Sequence, residues 1–210
     1  MATWQAELFE RLRAALRDGS VRAYGSLVDG DLDEWSDLDV EVSTSEHIDV
    51  ELLLDTRLWA WQESVTDDGQ VLRLVTRDGR RVDLTAIGST LVLPEPPVDN
   101  AVRFDAALAA TRLGRGNLLI GLHLVLGIGR EALVESMRAA DLAAGTVHHR
   151  VATPFDARAA EVAALMSDRL EPESALRAYE LYGARRSERD SGYAPDPAGL
   201  VALIDLAGGG

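Results

Sequence analysis

Ala23-Tyr24-Gly25-Ser26, followed by Ser36-Asp37-Leu38-Asp39-Val40, is the stretch whose reading decides the fold. An apolar-flanked run ends in a Gly-Ser pair, and two carboxylates one residue apart follow it. Side chains on a strand alternate faces. Asp37 and Asp39 therefore share one face, while Leu38 and Val40 point to the other, into a core. Two like charges on neighbouring same-face positions repel, so a fold gains nothing from them alone. Together they form half of an oxygen cage suited to Mg²⁺, which keeps phosphates and waters in its other positions. Gly25 permits close backbone approach, and Ser26 offers a hydroxyl to a phosphate.

Working outward, the third carboxylate is Asp83, between Val82 and Leu84. An acidic side chain between core-facing neighbours is costly without a partner. A metal shared with Asp37 and Asp39 is such a partner. The intervening residues read as paired strands. Leu58 to Val65 and Val71 to Thr76 join across Asp67-Asp68-Gly69, and Asp78-Gly79 marks a second hairpin turn into Arg81 to Ile87.

On the other side of the opening stretch, residues 3–18 predict a helix, with Trp4, Leu8, Leu12 and Leu16 at four-residue spacing. Val28 to Trp35 reads as a polar loop, and residues 48–56 as a short helix. Leu93-Pro94-Glu95-Pro96-Pro97 breaks the pattern and reads as a linker. Beyond it, residues 100–113, 117–143, 156–169, 172–187 and 197–207 have helical spacing. Gly127 and Gly129 are expected to break or kink the second of these. The reading is an α+β chain: a small mixed-sheet domain over 1–93, then a helical bundle over 98–210.

Composition limits the chemistry. The chain of 210 residues is 47% hydrophobic, enough for a packed core. It has no Cys and no Lys, which removes thiol nucleophiles, Schiff bases and a lysine P-loop. Net charge is −14, with 20 acids against nine arginines in residues 1–95 and 15 against twelve in the remainder. On that charge, nucleic acid is not expected as a partner. The N-terminal stretch is amphipathic rather than a signal peptide, and no run reaches the roughly 20 apolar residues of a membrane span. A cytoplasmic protein without a membrane partner is expected.

Gly25-Ser26, then Asp37-x-Asp39, then an apolar-flanked Asp83 resembles the nucleotidyltransferase superfamily that includes DNA polymerase β. The small acidic domain with a helical tail is similar to its aminoglycoside- and lincosamide-modifying members. The resemblance covers about residues 20–90. It implies that Asp37, Asp39 and Asp83 are catalytic and ligate Mg²⁺. It also implies that Gly25 and Ser26, with Ser36, cradle the phosphates of ATP or another NTP, and that Asp83 serves as general base. The reaction implied is transfer of a nucleoside monophosphate, AMP from ATP, to a hydroxyl of a small molecule such as an antibiotic. The alternative is a protein of this fold that modifies a protein partner, as antitoxin-type members do, or only binds a nucleotide. Many members carry Arg or Lys two residues after the serine, where this chain has Val28. The phosphate-contacting cation is then absent or comes from the helical half, where Arg112, Arg115 and Arg150 are candidates. Asp29, Asp31, Asp33 and Glu34 form an acidic loop that reads first as a solvated loop and second as a contact for an amine-rich acceptor. His123 reads as a core histidine.

Overall fold

The computed structural model describes residues 3–16, 18–67, 69–147, 151–166 and 169–209. The chain divides into two compact units, Met1–Phe104 with Asp205–Gly210, and Asp105–Ile204.

The first unit is built on a five-stranded mixed sheet in the order β1-β2-β6-β5-β4. Its strands are β1 (Ser20–Tyr24), β2 (Leu38–Ser43), β4 (Leu58–Thr66), β5 (Gly69–Thr76) and β6 (Arg81–Ile87). β2 and β6 alternate strictly: Leu38, Val40, Val42, Val82, Leu84 and Ala86 are buried, and the residues between them are partly exposed. The buried face packs with Leu8 and Leu12 of α1 (Trp4–Ala15) and Val50 and Leu54 of α3 (Val50–Leu54) in one core. The four-residue spacing in α1 puts those leucines on one stripe, and Thr3 caps it by accepting from the Ala6 amide. At the far end of β5, Gly79 takes φ 85°, the left-handed geometry a tight hairpin needs. A small parallel pair, β3 (Ile48–Asp49) with β7 (Leu91–Val92), completes the unit.

Two local expectations change here. Residues 28–35 are not wholly loop, because Ser26–Asp29 forms a single helical turn, α2. Residues 48–56 contain two-residue β3 as well as α3, with Asp49 ending the strand and capping the helix through the Leu52 amide.

The second unit is helical. α4 (Asn100–Gly114) enters it, followed by α5 (Leu118–Ala144), a 3₁₀ turn (Pro154–Ala157), α6 (Arg158–Ala164), α7 (Pro172–Arg189) and α8 (Ala198–Gly208). Its core includes Val125, Ile128, Ala132, Ala178, Tyr179, Tyr182 and Leu200. Tyr182 meets Tyr193 edge-on, with ring centroids 6.4 Å apart. α5 runs unbroken through Gly127 and Gly129, against the expected kink. A Cβ on Gly129 would sit 3.0 Å from Val162 Cγ1, so this glycine lets α6 approach closely. The helix-propensity cost of one glycine is about 1 kcal/mol, within reach of such packing. His123 is exposed rather than in the core. Among the described residues, no helix is long and apolar enough to cross a membrane.

Candidate active site

β2 and β6 lie side by side and parallel, with Asp39 opposite Asp83. Their polar residues fall on the face that α1 and α3 leave uncovered. Asp37 enters just before β2, and a ligand oxygen from each of Asp37, Asp39 and Asp83 lies within 4.8 Å of the others. In the antiparallel pair β1–β2, Asp39 is opposite Tyr24, so the Gly25 turn follows directly beside it. Gly25 has φ 64°, and a Cβ there would overlap Asp39 Oδ2. Only glycine fits both demands. Ser26 begins α2 immediately after it.

The loop before β2 is held by its own polar groups. Asp33 Oδ1 accepts from the Trp35 amide and from Ser36 Oγ, each at 2.9 Å. Ser36 Oγ also accepts from the Asp33 amide, and Ser36 O accepts from the buried Gln5 side chain at 3.0 Å. Ser36 is therefore engaged in shaping the loop that delivers Asp37, and the structure places its hydroxyl at Asp33.

Two arginines complete the cluster, and sequence reading missed both. Arg81 Nη2 meets Asp37 Oδ2 at 2.7 Å, and its Nη1 donates to Trp35 O at 3.4 Å. Arg73 Nε lies 3.4 Å from Asp83 Oδ2. The signal was available. Arg81 is two residues before Asp83 on one strand, and a hairpin centred on residue 78 pairs Arg73 with Asp83, as the register confirms.

Three carboxylates against two guanidiniums leave the cluster acid-rich. Burial, then the charge of Asp37, push the Asp83 carboxyl up to about 6 against the pull of Arg81 and Arg73. Burial and Asp37 also raise Asp39. Tyr24 is raised chiefly by burial, and its hydroxyl contacts Thr85 Oγ1 at 3.4 Å. The donor set is all oxygen, as a hard divalent cation requires. Asp39 Oδ2 lies close against the Gly25 backbone. These residues fit a Mg²⁺ site with Asp37, Asp39 and Asp83 as its ligands.

Of the remaining candidates, Arg150 lies outside the described residues, as do His148 and His149. Arg112 falls in the last turn of α4.

No family model matches the chain, and no curated protein matches it by sequence. Among solved structures it is similar to Cid1, described for its RNA terminal uridylyl transferase activity, at 16% identity and a TM-score of 0.27 over 62% of this chain and 38% of that one. It is also similar to the polymerase core of TRAMP, an RNA surveillance complex, at 12% identity and a TM-score of 0.26 over 87% of this chain and 60% of that one. The chain thus spans 38% and 60% of those two lengths. Both neighbours are nucleotide-transferring proteins by description, and neither acts on an antibiotic by description. One expectation is corrected. Nucleic acid is not excluded as a partner: both solved structures are described by their work on RNA. The exclusion rested on a net charge of −14, a sum over the whole chain. A sum does not describe the local field at a site, where arginines and bound cations stand beside the carboxylates.

Proposed function

We propose that the first unit carries a metal-dependent nucleotidyltransferase site that moves a nucleoside monophosphate, AMP from ATP in the simplest case, onto a hydroxyl acceptor and releases pyrophosphate. The observation that carries this reading is the convergence of Asp37, Asp39 and Asp83 on one open sheet face beside the Gly25-Ser26 turn. Such transfer depends on positioning and charge neutralisation more than on covalent chemistry. Bound Mg²⁺ supplies the neutralisation of the triphosphate. Asp37, Asp39 and Asp83 hold it. Gly25 lets a phosphate approach the backbone, and Ser26 offers it a hydroxyl. Asp83 is the general base in this reading and takes the acceptor's proton.

The acceptor in this reading is a small molecule rich in amines and hydroxyls, such as an aminoglycoside, with lincosamides as the second class. Its support is the exposed run Asp29, Asp31, Asp33 and Glu34 preceding Asp37, which attracts cations. A second reading, nucleotide binding alone or transfer to a protein partner, draws on the two arginines already paired with Asp37 and Asp83.

The test is pyrophosphate release from each NTP with Mg²⁺ across a panel of aminoglycosides, lincosamides and RNA oligonucleotides. Acceptor-dependent release abolished by a chelator is the expected result. Release with RNA alone moves the acceptor to nucleic acid. Calorimetry showing no nucleotide binding with Mg²⁺ overturns the proposal.

A further inference from the structure

The two arginines of the cluster are not equivalent. Arg81 is enclosed, its side chain 13% exposed, and is tied to both Asp37 and the Trp35 carbonyl. Such a group stays where it is and orients the carboxylate it holds. Arg73 is 62% exposed, and its contact with Asp83 is long, 3.4 Å. It stands in the row that crosses the open face, Tyr24, Asp39, Asp83, Arg73, from β1 through β2 and β6 to β5. An exposed ion pair of this kind is weak and easily exchanged. A divalent cation on Asp83 repels the guanidinium beside it. A triphosphate brought in with that cation offers Arg73 new oxygens within the reach of its long side chain, and guanidinium suits phosphate.

We propose that Arg73 is a counter-ion that changes partners: it pairs with Asp83 when the carboxylates hold no cation, and pairs with a phosphate of the nucleotide when they do. This rests on the nucleotidyltransferase reading above. It gives the site a phosphate-contacting cation on β5, where Val28 provides none after Ser26. Arg73 has opposite effects on the two ligands. It competes with a bare cation and assists a cation-bound nucleotide. An arginine that merely supported the fold would shift both affinities the same way.

The experiment compares wild type, Arg73→Gln, Arg73→Lys and Asp39→Asn. Mn²⁺ binding without nucleotide is read by electron paramagnetic resonance. Binding of α,β-methylene ATP with saturating Mn²⁺ is read by calorimetry. Arg73→Gln is expected to tighten Mn²⁺ by roughly two- to fivefold, the scale of an exposed ion pair. It is expected to weaken the nucleotide about tenfold, the scale of one charge-assisted hydrogen bond. Arg73→Lys keeps the charge and restores most of both. Asp39→Asn loses Mn²⁺. If Mn²⁺ binds through Asp39 but Arg73→Gln shifts neither affinity, or both in one direction, the role of Arg73 is overturned and the metal site stands. If Asp39→Asn binds Mn²⁺ as wild type does, both readings are overturned together.

Discussion

Asp83 in the first unit and Glu135 in the second are both carboxylates held largely out of water, and the protein treats them in opposite ways. Glu135 on α5 has a side chain 5% exposed and two arginines to itself, Arg189 at 2.5 Å and Arg138 at 3.0 Å. Burial alone would raise its carboxyl, but the hydrogen bond and charge of Arg189, then Arg138, outweigh burial and hold it below the ordinary value. Asp83 shares its two arginines with Asp37 and Asp39. There burial and the neighbouring carboxylates win, and its carboxyl rises to about 6. A buried acid with surplus counter-ions fastens helices. A buried acid with too few stores repulsion that a bound cation would relieve.

The strongest way to break this comparison is to remove one charge from each side. Asp39→Asn is expected to cut pyrophosphate release by about 10²–10³-fold, the scale of losing one electrostatic group in an active site. Its thermal midpoint should not fall, because the lost charge was repelled by Asp37. A midpoint that falls in step with activity means Asp39 is structural. Gly25→Ala should reduce release comparably and also destabilise, by about 1–3 kcal/mol for the strained backbone, since its new Cβ displaces the Asp39 carboxylate. Glu135→Gln should do the reverse of Asp39→Asn. It leaves release intact and costs about 2 kcal/mol in urea unfolding, from weakened hydrogen bonds to charged partners. Hydrogen exchange along α5 should report the same loss.

pH gives the smallest and sharpest contrast. Asp83 has a raised folded value, so its contribution to stability is full below the ordinary 3.8 and is lost as pH rises through about 6. Glu135 has a lowered folded value, so its contribution is present above the ordinary 4.5 and is lost as pH falls through the lower folded value. Amide exchange in β6 and in α5 should therefore change with opposite slopes. Asp83→Asn should flatten the first and leave the second untouched.

Much of the first unit is legible before any coordinates. Arg81 to Ile87 alternates so regularly that its bounds, its buried face and the open side of Asp83 all follow from period two. The meeting of Asp83 with Asp39 was not derivable from periodicity. It needs β6 to lie beside β2, a pairing between residues 44 apart that local propensity does not encode, and the family resemblance supplied it. The pairing of Arg73 with Asp83 was within reach, because a hairpin turn fixes its own register. β3 and β7 escaped notice because two-residue strands carry no period. The unbroken α5 shows tertiary packing overriding a glycine penalty of about 1 kcal/mol.

The strand order has a consequence for how the protein matures. β1–β2, β4–β5 and β5–β6 are each antiparallel pairs between strands consecutive along the chain, whereas β2–β6 is parallel and joins segments separated by three other strands, two of them in the same sheet. Long-range parallel pairing closes a large loop and forms late relative to hairpins. Asp37 and Asp39 belong to one side of that seam and Asp83 to the other. A chain that has built both halves but not joined them has no three-carboxylate cluster. On the proposed function, cation uptake would therefore mark the finished sheet, available to complete molecules and withheld from half-made ones.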